Sequence, residues 1–312
     1  MTVALVTTSH SPLMGRNQPA DEVVAAVEAS LDRVRAFVAD YDPELVVIFG
    51  PDHYNGFFYD MMPPFCVGVG AEGIGDYDTS SGPMDVDRDV GYAIAKEALA
   101  REIDVAYSEQ MKVDHGIAQP LDLIFGGFNR TVVPIFINCV ATPLGPAKRA
   151  RLLGEAVGDV IGRLDRRVLV MGSGGLSHDP PVPKLEASPP EVREKLISGR
   201  NPSSEEREAR ESRTAAVGRA FGKDEADIQP LNPAWDRDFM RLLAENRLTE
   251  VDSWSNEWFA ERAGNSSHEV RTWLAAYAAL GVNGPYETEE SFYHPIPEWI
   301  AGFGITTARL AG

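Results

Sequence analysis

Cysteine is nearly absent from this chain. Cys66 and Cys139 are the only two, far apart and outside any Cys-x-x-Cys spacing, which excludes a disulfide framework and a thiolate metal site. Positive charge is also scarce: 29 Lys and Arg stand against 47 Asp and Glu, a formal charge of −18. So acidic a surface is repelled by nucleic acid and by anionic membranes. No apolar run approaches the roughly 20 residues that a spanning helix needs, and the opening MTVALVTTSHSP lacks the basic segment of a secretory signal. The expectation is a cytoplasmic protein with no nucleic-acid or membrane partner. Gly172-Ser173-Gly174-Gly175 has neither the lysine of a phosphate loop nor GxGxxG spacing. Its glycines read as room for a sharp turn or a close approach.

What is present is alternation. With 44% hydrophobic residues in 312, the chain can bury a sizeable core. Short β-branched runs at residues 3–8, 45–49, 131–140 and 167–171 read as strands buried on both faces, with weaker ones at 65–69 and 105–108. Helical spacing falls between them at 21–40, 87–101, 117–125 and 146–164. The pattern predicts an α/β fold: a single domain over residues 1–312 with a mostly parallel central sheet flanked by helices. Residues 60–85, rich in Gly and Pro, read as loop around the 65–69 strand. Residues 182–230 turn charged, with Pro, Ser and helical patches at 191–197 and 204–221, and read as a helical insertion that covers a site or meets another subunit. Further helices are expected at 233–246, 256–263 and 267–280.

Histidines sit where strands end. His10 follows the first strand in SHSP, His53 follows the break at Gly50-Pro51, and His178 follows the 167–171 strand in GSGGLSH. Open α/β sheets bind ligands just beyond the carboxyl ends of their strands. One such histidine alone is best read as bonding its own loop; repetition is what argues for a site. His115, in VDHG, lies at a loop or helix start. Glu269, in GNSSHE, has two readings. Ser266 and Glu269 have the spacing of a helix capping box. Alternatively, Glu269 supplies the carboxylate that His10 and His53 lack, since two imidazoles and one carboxylate form the open iron site of non-haem Fe(II) oxygenases. His268 stands beside it as a competing ligand. Tyr54, Phe57, Phe58, Tyr59 and Phe65 either wall an aromatic pocket or belong to the ordinary core.

Taken in order, His10 in SHSP, His53 in GPDHYNGFF, His115 in VDHG, His178 in GSGGLSH, Glu269 with Trp273, and PIPEWIAGFG at 295–304 resemble the class III extradiol ring-cleavage dioxygenases, the family that includes protocatechuate 4,5-dioxygenase. The likeness covers nearly the whole chain. It implies Fe(II) held by His10, His53 and Glu269, with His115 as proton donor and His178 as proton acceptor. It also implies O₂ and a catechol carboxylate as substrates, 3-(2,3-dihydroxyphenyl)propanoate and 2,3-dihydroxycinnamate, opened to 2-hydroxy-6-oxo-nona-dienedioate-type products in aromatic catabolism by a homo-oligomer. A catechol must lose a phenolic proton to chelate iron, and a later step needs a proton returned. Two histidines in opposite protonation states suit that demand. Asp114 is read as a carboxylate that holds His115 protonated. No residue identifies itself as receiver of the substrate carboxylate. Two rivals stay open: a zinc hydrolase using the same ligands, and a non-enzymatic interaction protein on the same fold.

Overall fold

The computed structural model describes residues 3–311. Strands β1 (Val3–Thr8), β2 (Leu45–Gly50), β3 (Phe65–Gly68), β4 (Ala71–Ile74), β5 (Ser81–Pro83), β6 (Ala106–Ser108), β7 (Met111–Val113), β8 (Val132–Ile137), β9 (Val168–Ser173), β10 (Tyr286–Ile296) and β11 (Ala301–Leu310) form two sheets. The larger has eight strands in the order β10-β11-β1-β9-β2-β8-β3-β6, and the smaller has three, β5-β4-β7. β1, β9, β2 and β8 run parallel, and all four are buried along their whole length. That is why they read as continuous apolar runs and not as alternating ones.

Nine helices are described: α1 (Asp21–Tyr41), α2 (Arg88–Ala100), α3 (His115–Phe125), α4 (Ala147–Ile161), α5 (Pro190–Ser198), α6 (Ser204–Phe221), α7 (Pro233–Ala244), α8 (Asn256–Ala263) and α9 (Val270–Gly281). They cover both faces of the large sheet. One core packs α2, α4, α7 and α9 side chains on β1, β2, β8 and β9, and the other packs α1, α3 and the 296–305 segment on the opposite face. Helix α1 shows the logic: Val27, Leu31, Val34, Phe37, Val38 and Tyr41 are buried at helical spacing while its other face is wet. Arg-rich α6 has only Glu211, Ala215 and Gly218 buried, so it rests on the body by a narrow stripe.

The α/β class and the order of these elements follow the sequence pattern, and two features lay outside it. The long β10–β11 hairpin, antiparallel to β1, makes that edge of the sheet mixed. Its Gly- and Thr-containing strands carry little of the β-branched run that marks a doubly buried strand. The stretch read as loop at 60–85 contributes β4 and β5 to the small sheet and a single 3-10 turn, Asp76–Asp78. Cys66 and Cys139 are free and buried. No helix among the described residues is long and apolar enough to cross a membrane.

Candidate active site

Because β1, β9 and β2 are adjacent and parallel, their carboxyl ends meet at one edge. His10 leaves β1, His53 leaves β2, and the glycine loop leaves β9 there. α3 brings His115 to the same place by its first turn, and Glu269 comes from the 3-10 turn Ser267–Glu269 that leads into α9. The rings of His10, His53 and His115 lie 4.4 to 5.5 Å apart by centroid. Glu269 Oε1 is 3.1 Å from His53 Nε2 and 3.4 Å from His178 Nε2, and its Oε2 is 3.6 Å from His10 Nε2. All five residues named from the sequence therefore face one another.

Each histidine is turned inward by a bond to its other nitrogen. His53 Nδ1 donates to Asp114 Oδ2 (3.0 Å) and His115 Nδ1 to Asp76 Oδ2 (2.6 Å). His178 Nδ1 donates to the Leu176 carbonyl (2.9 Å). His10 is the most informative. Ser173 Oγ spends its one proton on the Gly116 carbonyl at 2.5 Å, so His10 Nδ1 must donate to Ser173 at 3.0 Å. Burial, only partly offset by Glu269, pulls the His10 pKa down to about 3. His10 is thus neutral, with the lone pair of Nε2 aimed at a carboxylate oxygen.

Two acceptors facing each other without a proton between them repel, and a cation between them removes the conflict. The donor set fits a divalent metal on that ground: neutral imidazole, a second imidazole oriented by a carboxylate, and a buried glutamate. Burial resists the charge on Glu269, yet His178, His10 and His53 hold its pKa well below the usual range. For His53, burial disfavours the cation, but Asp114 and Glu269 outweigh it and raise the pKa well above its ordinary value. A ring nitrogen from each of His10, His53 and His115 also lies within 4.8 Å of the others, and His178 Nε2 is 3.4 Å from Glu269, so His115 and His178 are both near enough to compete as ligands.

Glu269 does not cap its helix. The Ser266 side chain makes no capping bond, and Glu269 Oε2 instead accepts the Gly175 N–H at 2.8 Å. Gly174 allows this approach, because a Cβ there would fall 2.7 Å from both Glu269 Cβ and its carbonyl. His268 turns elsewhere, its Nδ1 accepting from Arg271 (3.3 Å) and its ring against Phe259. Burial and Arg271 together lower the His268 pKa to about 3.

One reading needs correction. Asp114 serves His53, taking its N–H at 2.8 Å as well as its Nδ1, and lies 4.0 Å from His115 Nδ1. The partner of His115 is Asp76, which accepts both the backbone N–H (2.8 Å) and Nδ1. Asp76 was missed because it lies 39 residues away in a glycine-rich turn; only its wholly buried carboxylate marks it. Tyr54 (φ 56°) and Tyr77 (φ 49°) hold left-handed backbone beside the site, strain of about 1–3 kcal/mol apiece that the surrounding structure maintains.

Above the histidines opens a cavity of about 690 Å³, lined by the site residues, by Tyr54 and Tyr77, by Trp299 to Ala301, and by the inner faces of α5 and α6. Among the aromatics singled out in the sequence, Tyr54 lines the cavity, while Phe58 and Phe65 are buried.

Residues 4–304 match the family profile described as the catalytic LigB subunit of aromatic ring-opening dioxygenase. The chain belongs to that family. It is 60% identical over 309 residues to the 2,3-dihydroxyphenylpropionate/2,3-dihydroxicinnamic acid 1,2-dioxygenase of a Rhodococcus species, covering 99% of this chain and 98% of that protein. The proteins of the same name from Rhodococcus jostii (strain RHA1) and Paraburkholderia phymatum are 59% and 53% identical at the same coverage. A solved structure of an uncharacterized Escherichia coli K12 protein matches at 13% identity and a TM-score of 0.49, covering 97% of this chain and 98% of that one. As a member of the ring-opening dioxygenase family, this chain is an oxidoreductase that works with a metal.

Proposed function

We propose that this dioxygenase opens the ring of 3-(2,3-dihydroxyphenyl)propanoate and 2,3-dihydroxycinnamate next to the hydroxyl pair, with Fe(II) held by His10, His53 and Glu269. The observation that carries the reading is the convergence of the Nε2 atoms of His10, His53 and His178 on the buried Glu269 carboxylate, with the His115 ring stacked on His53, below a cavity large enough for a substituted catechol. The near full-length identity to dioxygenases named for these substrates supports it. When bound, ferrous iron supplies the electron transfer between ring and O₂ that no side chain can perform.

The chain's own residues do the rest. His178 presents Nε2 to the cavity and takes the proton of the incoming catechol, and its bond to Leu176 keeps that nitrogen pointed inward. His115, held by Asp76 at backbone and ring, returns a proton from Nε2 as the ring opens. The stacked faces of His53 and His115 keep donor and ligand side by side. α5 and α6, within the 182–230 insertion, roof the cavity and exclude water from it. The product is a 2-hydroxy-6-oxo-nona-dienedioate-type acid. The enzyme acts in the cytoplasm as a homo-oligomer, and full activity in a species that sediments as a monomer would remove the subunit role.

The test is anaerobic loading with Fe(II), addition of 3-(2,3-dihydroxyphenyl)propanoate and then O₂, and measurement of the yellow ring-fission product. Its formation with iron and not with zinc is expected. Iron-loaded protein that leaves the catechol intact would overturn the assignment.

A further inference from the structure

Helix α6 turns three arginines toward the cavity, Arg207, Arg210 and Arg213, none of them ion-paired among the described residues, and Arg210 is the one tied to the site histidines, through Asn55. The other cations on that wall are committed or peripheral. Lys195 Nζ lies 2.7 Å from Glu206 Oε1, and Arg200 pairs with Asp60 at 2.6 Å while covering the Phe58 ring. Arg207 donates to the Ile74 carbonyl at 3.0 Å, and Arg213 is exposed. Arg210 is half-buried, lines the cavity, and makes no ion pair among the described residues.

Its position is fixed from below. One terminal NH₂ donates to Asn55 Oδ1 at 2.8 Å, the Asn55 amide donates to Asp114 Oδ2 at 2.9 Å, and that same oxygen accepts His53 Nδ1 at 3.0 Å. The guanidinium is therefore tethered through two side chains to a proposed iron ligand, while its remaining N–H groups make no hydrogen bond within the described residues. A planar fork with free donors is matched to a carboxylate. The substrate carries its side chain on the ring carbon next to the hydroxyl pair, with a carboxylate two carbons beyond the ring, so the acid group lies on the flank of the chelating end and within reach of a cation tied to the site histidines. On a chain of net charge −18, such an acid needs a local cation to be held.

We infer that Arg210 receives the substrate's side-chain carboxylate and thereby selects carboxylated over neutral catechols. This rests on the ring-cleavage reading above. Iron-loaded wild type, Arg210→Met and Arg210→Lys are compared on 3-(2,3-dihydroxyphenyl)propanoate and on 3-propylcatechol, by kcat/KM in air and by calorimetric binding without O₂. Wild type is expected to prefer the acid. In Arg210→Met that preference falls about 10- to 100-fold, mainly through KM and the binding constant, as expected when a charged hydrogen bond is lost, and Arg210→Lys recovers part of it.

A wild type without preference in either measurement overturns the inference before any variant is made. So does Arg210→Met with an unchanged preference, or with equal loss on both catechols, which would make the arginine a brace for Asn55. Collapse of the preference in Arg207→Met or Arg213→Met instead would move the anchor off Arg210 and overturn it as well. If wild type opens neither catechol, the ring-cleavage reading fails, and the anaerobic binding data still decide whether Arg210 holds the acid.

Discussion

Two of the four site histidines are each held by an aspartate of their own, and the other two by Ser173 and the Leu176 carbonyl. Asp114 orients His53, and Asp76 orients His115. If His10, His53 and Glu269 are the ligands, substituting any of them by Ala should strip iron from a folded protein, while His268→Ala keeps it. His115→Gln and His178→Gln should retain iron yet lose roughly 10²- to 10⁴-fold in turnover, the usual contribution of a general acid or base. Metal analysis and single-turnover cleavage on the same preparations check this, and an iron-free His115→Gln would make His115 a ligand. A pH effect follows as well. Without metal, His53 has a pKa well above its ordinary value, so near neutrality it carries a proton that iron must displace. Iron affinity should therefore weaken as pH falls, by about tenfold per unit for one displaced proton. Calorimetry in buffers of different ionisation enthalpy should register proton release, and pH-independent affinity would contradict it. His10, His53 and His178 stood out because strand ends and repeated histidines are local patterns, whereas His115 was joined to them, and Glu269 chosen over its capping reading, only through the family resemblance. Asp76 and the true partner of Asp114 were not legible, since contact across the fold leaves no local mark.

At the scale of elements, the site depends on how closely β9 passes α9 and how α6 lies on the body. Gly174→Ala would place a methyl 2.7 Å from Glu269 Cβ, and the neighbouring backbone cannot yield. The expected result is weakened iron binding with a melting temperature lowered by the equivalent of about 1–3 kcal/mol. Gly218 is the contact point of α6: a Cβ there would meet the Glu298 carbonyl at 2.5 Å and Leu13 Cδ1 at 2.6 Å. Gly218→Val should lift the helix, raise KM and speed proteolysis within 182–230, while the rest of the domain stays resistant. Unaltered KM and digestion would show that α6 does not roof the site. The central strands and amphipathic helices could be read because burial imposes their period. The β10–β11 hairpin could not, because its pairing with β1 depends on partners nearly the whole chain away.

For the whole molecule, a −18 chain with buried carboxylates at its centre is a scaffold that gains from a bound cation. A ligand that binds only the folded state stabilises it by RT ln(1 + [L]/Kd), about 2.7 kcal/mol at a hundredfold excess over Kd. Anaerobic Fe(II) should therefore raise the melting temperature, and a chelator should reverse the rise; Glu269→Ala should show neither response. The most direct test of the central claim is oxygen stoichiometry. Iron-loaded protein is mixed with a limiting amount of 3-(2,3-dihydroxyphenyl)propanoate, O₂ uptake is followed at an electrode, and the product mass is read at the end. Ring cleavage predicts one O₂ consumed for each catechol and a product whose mass is that of substrate plus both oxygen atoms. A ring left intact, or opened without O₂ uptake by the zinc-loaded protein, would contradict it.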